Sequence, residues 1–243
     1  RVIGGMTESC SEAAIEVYGS FVEGSCVTTN ARAAEMTKLT ENASRDVGIA
    51  FANELSVICD DQDIDVWELI RLANRHPRVN ILQPGPGVGG HCIAVDPWFI
   101  VDRSPNHSKL IKAARNVNDQ KPQWVVDKVK IAIADILLNS PSKSSSDISI
   151  ACYGLAFKPN IDDLRESPAL LISKKIIEMH SGSVLLVEPN ITSLSTDFKD
   201  YELSNFDEAR REAYIHLLLV DHNEFKDRRP SCGEIIDTRG IWR

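Results

Sequence analysis

The sequence predicts an α/β protein of two unlike parts. An all-helical domain over residues 1–140 is followed by a small doubly wound, parallel-sheet domain over residues 147–243. Three observations predict it. Ala31 to Cys59 reads as one long helix, rich in Ala, Glu, Met, Lys and Leu and free of proline. Pro141-Ser142-Lys143-Ser144-Ser145-Ser146 is polar and linker-like. Beyond it, short apolar runs alternate with helical segments, the pattern of a parallel sheet with crossover helices.

In chain order, Arg1-Val2-Ile3-Gly4-Gly5 has the pattern of a strand and turn, and so abrupt an opening reads as a piece of something longer. Thr7 to Phe21 carries apolar residues at helical spacing, with Thr7 or Ser9 as the N-cap. Cys26 to Thr29 is short and β-like. Gly48 is the one weak point of the long helix. Asp65-Val66-Trp67-Glu68 is a capping-box pattern that starts a helix running to about Asn74. Ala94 to Val101 is a short apolar stretch closed by Asp102 and Pro105. Lys109 to Leu138 is helical and would join the two parts, with Pro122 tolerable only as a kink or a new first turn. Ile148 to Gly154 reads as a buried strand. Ser167-Pro168 opens a helix that runs to about His180. Val184–Val187, Ile215–Val220 and Glu234–Asp237 complete the strands.

Composition excludes several functions. The net charge of −8 speaks against a general nucleic-acid binder. No apolar run reaches the ~18 residues of a membrane span, and no signal peptide is visible. The six cysteines are scattered, with no C-x-x-C pair, which argues against a zinc ribbon and a disulfide scaffold and fits a reducing cytoplasm. No metal site is expected: His91 adjoins Cys92, but adjacent residues rarely chelate one ion.

Four segments could carry chemistry. Gln83 to Pro97 holds four glycines and three prolines, an irregular backbone bare of side chains. At its end stand the thiol of Cys92 and, four residues on, the carboxylate of Asp96. A thiol beside a bare cradle suits covalent catalysis on a bound carbonyl; a structural loop with a buried free cysteine accounts for the same residues. Gly85 to Gly90 also satisfies G-x-G-x-x-G, but it follows a helix rather than a strand, and Pro86 removes one N–H. On the long helix Lys38, Asn42 and Arg45 fall at i, i+4 and i+7, on one face. Such a stripe could stabilise an oxyanion or grip an anion; an ordinary solvated face has the same spacing. His76-Pro77-Arg78 leaves a helix just before the glycine loop, with Arg78 shaped for a phosphate or carboxylate. Gly154 to Pro168 follows the first strand of the sheet. Phe157, Lys158 and Arg165 therefore sit where open α/β sheets meet anionic nucleotides.

Together these segments resemble the nucleotide-sugar 6-dehydrogenase family, which includes the UDP-glucose and GDP-mannose dehydrogenases. The residues carrying the resemblance are Ala34 to Asn42, Asn74 to Asn80, Pro84 to Cys92, Gly154 to Pro168, and Asp237-Thr238-Arg239-Gly240-Ile241-Trp242-Arg243. They span nearly the whole chain in the expected order. Nearest is the branch acting on UDP-N-acetyl-D-mannosamine, whose C6 alcohol is oxidised to the uronate with two NAD. The resemblance implies Cys92 as the nucleophile, forming a thiohemiacetal and then a thioester. It implies Lys38 as proton donor or acceptor, Asn42 as its partner at the oxyanion, and Asp96 as the residue assisting the hydrolytic water. It implies substrate contacts from Arg45, His76, Arg78, Gly89, Phe157, Lys158 and Arg243, with Arg78 reaching across a dimer, and a contact to NAD from Arg165. It further implies a Rossmann-like UDP-binding second domain and a homodimer built through the helical one, where Phe51, Trp67 and Leu69 are the apolar candidates.

One departure is large: the family begins with an NAD-binding domain, and none precedes Arg1. The chain alone is therefore expected to lack turnover. Arg210-Arg211-Glu212-Ala213-Tyr214 is a second departure, without an assigned role. UDP-N-acetylglucosamine or UDP-glucose as substrate, and a non-catalytic nucleotide-sugar-binding module, are the alternatives; the intact set Cys92, Lys38, Asn42 and Asp96 speaks against the last.

Overall fold

In the computed structural model, which describes residues 1–194, 198 and 201–243, the two parts are joined through one long helix and one loop. The chain begins with β1 (Val2–Gly5), α1 (Glu8–Gly19) and β2 (Val27–Asn30). Thr7 caps α1, its hydroxyl accepting from Cys10 N. The two strands pair in parallel, Val2 opposite Val27. The first part is thus not helical throughout. Two short strands paired across an intervening helix leave no local mark of their pairing in the sequence.

Four helices follow. α2 (Ala31–Asp61) is capped by Asn30, and α3 (Val66–Ala73) by Asp65, whose carboxylate accepts from Trp67 N at 2.9 Å and Glu68 N at 3.1 Å. The apolar stretch after the glycine loop forms α4 (Asp96–Arg103), with Pro97 in its first turn. α5 (Lys109–Asn139) is one helix through Pro122.

The second part consists of β3 (Ile150–Tyr153), α6 (Pro168–Met179), β4 (Val184–Val187), α7 (Phe206–Glu212), β5 (Ile215–Leu218) and β6 (Glu234–Asp237). All pairings are parallel, in the order β4-β3-β5-β6. Successive strand residues point to opposite faces. Ile150 and Cys152 meet Val125, Val126 and Val129 of α5 and Ile172 and Ile176 of α6. Ala151 and Tyr153 meet Phe206, Phe225 and Trp242 on the other face. α5 therefore covers the sheet as well as packing on α2. Of the run from Arg210 to Tyr214, residues 210–212 end α7, where Arg210 and Arg211 complement the negative end of the helix, and Ala213 is its C-cap. Among the described residues no helix is long and apolar enough to cross a membrane.

Polar groups between α2 and α5 hold the glycine loop. Arg115 Nη1 donates to Asp46 Oδ1 at 2.6 Å, both side chains buried, and Arg115 also bonds Asp119. Asn118 Nδ2 donates to the same Asp46 oxygen at 2.8 Å. Asn53 Nδ2 donates to Asn118 Oδ1 at 3.0 Å, and Asn53 Oδ1 accepts from Gly85 N at 2.9 Å. Burial raises the Asp46 pKa, against the pull of the Arg115 charge. Removing one partner of such a pair strands a buried charge. Arg115→Met is expected to lower stability by about 3–5 kcal/mol, and Arg115→Met with Asp46→Leu by clearly less. Denaturant unfolding of the two variants and the parent checks this; equal losses would refute it.

Candidate active site

The glycine loop owes its bareness to its neighbours in the same chain. A Cβ on Gly89 would stand 2.5 Å from Glu166 O and 2.6 Å from Pro168 Cδ. One on Gly90 would stand 3.1 Å from the Phe157 ring, and Gly90 has φ +83°. The loop thus packs directly on residues 157–168 of the second part. The G-x-G-x-x-G run of Gly85 to Gly90 follows α3 rather than a strand and does not open a helix directly, so it lacks the setting of a dinucleotide fingerprint.

A cavity of about 440 Å³ opens between loop and sheet. It lies beyond the carboxyl ends of β3 and β5, lined by Ala156, Phe157, Lys158 and Pro159 after the one and by Leu219 and Val220 after the other. The chain turns from one side of β3 to the other at this point, since β4 and β5 flank it. Open α/β sheets hold their ligands at such a switch point. Arg45, Gly89, Phe157 and Lys158 all line the cavity, as does Arg239, which sequence reasoning missed as a site residue. Arg239 Nε donates to Asp221 Oδ1 at 2.6 Å, and its Nη1 lies 2.5 Å from where a Gly85 Cβ would be. Among the described residues three cations and no carboxylate line the cavity, Arg239 being paired with Asp221 behind it, in a chain whose net charge is −8. That is an environment for an anion.

At the other end of the loop, Asn42 Nδ2 donates to Asp96 Oδ2 at 2.5 Å, and Lys38 Nζ donates to Asn42 Oδ1 at 3.3 Å. Lys38 also pairs with Glu41 at 3.6 Å. The helical spacing of Lys38 and Asn42 becomes a hydrogen-bonded line ending on Asp96. Asp96 occupies the first turn of α4, where a negative charge is favoured. Its N–H donates to Cys92 O at 2.8 Å, and Cys92 is an exposed free thiol. Ile93, next to Cys92, lines the cavity.

The remaining candidates lie elsewhere. His76 and Arg78 are exposed on the segment after α3 and do not line the cavity; His76 Nδ1 accepts from Arg78 N at 3.3 Å. Arg243 packs over the Trp67 ring at 4.5 Å and donates to Asp65 Oδ2 at 3.2 Å, also outside the cavity lining. Arg165 is exposed and forked onto Asp163, with its Nη2 2.6 Å from Oδ2. The Arg165 hydrogen bonds hold the Asp163 carboxyl down at about 2.

Beneath Phe157 and Lys158 lies a buried carboxylate, Glu188. Burial alone would raise its pKa, but bonds from His222, Leu155 N and Asn190 N outweigh that and bring it from 4.5 down to about 2.

The model of the UDP-glucose/GDP-mannose dehydrogenase family, central domain, matches residues 32–120, and that of the same family's UDP binding domain matches residues 151–243. The chain belongs to the UDP-glucose/GDP-mannose dehydrogenase family. It is 60% identical to the UDP-N-acetyl-D-mannosamine dehydrogenase of Escherichia coli K12, with all of this chain and 59% of that protein covered. It is 56% identical to the NDP-N-acetyl-D-galactosaminuronic acid dehydrogenase of Ralstonia nicotianae, over 100% of this chain and 56% of that one. Among solved structures it superimposes on the UDP-N-acetyl-mannosamine dehydrogenase of S. aureus with a TM-score of 0.83 at 41% identity, covering 100% of this chain and 56% of that one. The chain thus spans somewhat more than half the length of the relatives it matches.

Because the folded Glu188 pKa lies below its ordinary value, its contribution is complete above pH 4.5 and is lost as the pH falls toward 2. The difference corresponds to roughly 3 kcal/mol. Glu188→Gln is expected to lower stability at pH 7 and to flatten the fall in stability between pH 4.5 and 2. Denaturant midpoints measured across that range check it; an acid limb as steep as the parent's would refute the assignment.

Proposed function

We propose that this chain is the catalytic-thiol and UDP-binding portion of an NAD-dependent dehydrogenase that oxidises UDP-N-acetyl-D-mannosamine at C6 to the uronate, in the synthesis of bacterial surface polysaccharide. One observation carries the reading. Among the described residues the cavity at the switch point is walled by Arg45, Lys158 and Arg239 without a carboxylate, and the loop that forms its roof leads directly to Cys92. A diphosphate meets the cations and the Phe157 ring flanks the base or sugar. The sugar then extends along the loop toward the thiol. The choice of an acetamido sugar rests on the names of the relatives.

NAD, when bound by the whole protein, would supply the acceptor for the two hydrides that leave C6, and Lys38 would take the hydroxyl proton released with the first. This chain offers it Arg165. Between the two oxidations, the Cys92 thiolate adds to the C6 aldehyde carbon, and the carbonyl electron pair moves onto oxygen. Lys38 and the amide of Asn42 stabilise that oxyanion. After the second oxidation the carbon–sulfur bond is a thioester. Water adds to it, Asp96 takes the water's proton, and Cys92 leaves as thiolate. Asn42 is suited to hold Asp96 in place, since one of its amide hydrogens already points there. His76, Arg78 and Arg243 are proposed as further substrate contacts; for His76 and Arg78, exposure on this chain fits a site completed by a second copy. The homodimer is proposed to form through the helical part. Of its three apolar candidates Phe51 is exposed, whereas Trp67 and Leu69 are half-buried.

Titration calorimetry tests the reading. UDP is expected to bind, Lys158→Ala to weaken it roughly tenfold or more, and Cys92→Ser to leave it unchanged. UDP affinity untouched by Lys158→Ala would move the nucleotide elsewhere. With NAD and UDP-N-acetyl-D-mannosamine, this chain by itself is expected to give no steady-state NADH signal, while the whole protein gives one that Cys92→Ser abolishes.

A further inference from the structure

Two backbone anchors bracket the segment that carries Phe157 and Lys158. On one side, Leu155 N and Ala156 N donate to Glu188 Oε2 at 2.7 and 3.1 Å. On the other, Asn160 N donates to His222 Nδ1 at 3.0 Å. The two acceptors are themselves bonded, His222 Nε2 donating to the same Glu188 oxygen at 3.0 Å. Both side chains are fully buried. Asn190 braces the pair, its Nδ2 within 3.2 Å of Glu188 Oε1 and 2.9 Å of His222 Nδ1. The Asn160 N–H must donate, so Nδ1 of His222 accepts and Nε2 carries the proton.

The anchored backbone is unusual on both sides. Gly154 has φ +88°, and a Cβ there would stand 2.4 Å from Val220 Cβ. Asn160 has φ +59°, and its side-chain oxygen accepts from Asn223 N at 2.9 Å. Between the anchors run Phe157, Lys158 and Pro159, all of which line the cavity. Pro159 limits the freedom of this short segment further. Glu188 stands just after β4 and His222 shortly after β5, so strands on opposite sides of β3 supply the two halves of one clamp. A carboxylate at the end of a second strand could instead have faced a ribose. Here its oxygens are consumed by the protein's own backbone.

We propose that the buried Glu188–His222 pair is a positioning device, clamping both ends of the Phe157–Pro159 segment so that Lys158 and Phe157 are held in place for the nucleotide. The proposal rests on the reading of the cavity as the UDP site. Neither residue touches substrate; both act through Lys158. The clamp separates nucleotide binding from chemistry, because Cys92, Lys38 and Asp96 belong to the other part of the chain.

Two substitutions take the clamp apart. His222→Asn retains an acceptor at the Nδ1 position for Asn160 N–H and loses the donor to Glu188. His222→Gln retains the donor to Glu188 and loses the acceptor for Asn160. In the whole protein, His222→Gln is expected to raise the UDP dissociation constant and the KM for the UDP-sugar roughly tenfold, with kcat within about twofold of the parent. His222→Asn is expected to keep UDP affinity within about threefold of the parent, even where its melting temperature falls as far or further. A role confined to stability predicts the opposite, affinity following melting temperature in both variants, and that result overturns the clamp. If a variant fails to fold, amide hydrogen exchange in the parent decides instead. Asn160 N–H is expected to be protected and to gain protection when UDP binds; exchange at the rate of an open loop, or no response to UDP, overturns the proposal. The parent and Lys158→Ala serve as controls. A parent that does not bind UDP removes the nucleotide reading and the clamp with it. A parent that binds, a Lys158→Ala that does not, and two His222 variants that bind alike remove the clamp alone.

Discussion

The buried bond between Arg115 and Asp46 is the constraint on which the site rests. A guanidinium and a carboxylate taken out of water tolerate little movement, because each is costly to leave without the other. Asn118 and Asn53 continue from that bond to the backbone N–H of Gly85. The start of the glycine loop is therefore fixed to α2 and α5 by hydrogen bonds, besides the packing of Leu82 on Gly48 and of Gly87 on Pro122. α5 in turn lies on the sheet through Val125, Val126 and Val129. One helix thus sets the loop and the sheet against each other, and the cavity is the space left between them.

Charge follows the same geometry. The chain is acidic as a whole, yet the cavity wall holds Arg45 from α2, Lys158 from the loop after β3 and Arg239 from beyond β6. No segment of sequence is strongly basic. The positive site exists only because three separated elements converge. The buried carboxylate beneath it, Glu188, has its oxygens occupied by backbone N–H groups and His222.

Much of the architecture could be read from the residues. Ser167-Pro168 and Asp65 cap the helices they were expected to open. The strand runs appear within a residue or two of their expected bounds, because continuous apolar stretches have few other uses in a short segment. Lys38 and Asn42 do meet, as spacing on one helix face requires. Other features had no local signal. α4 was visible only as an apolar stretch, and the pairing of β1 with β2 could not be seen at all. Arg239 and Arg243 stand four residues apart in one closing segment, and nothing in their neighbourhoods distinguishes them. The fold turns Arg239 into the cavity and sends Arg243 to Trp67 and Asp65.

By itself the sequence determined the long helices, the parallel strands of the second part, the glycine loop and the thiol at its end, since these depend on propensity, periodicity and the special backbone of glycine and proline. The tertiary structure alone decided which glycines are bare for a ligand and which for the chain itself. It also decided which arginine faces the cavity and what holds Lys158 in place. The reason is that each of these is a contact between residues far apart in the chain. Such contacts are set by how the two parts pack on α5, which no local pattern encodes.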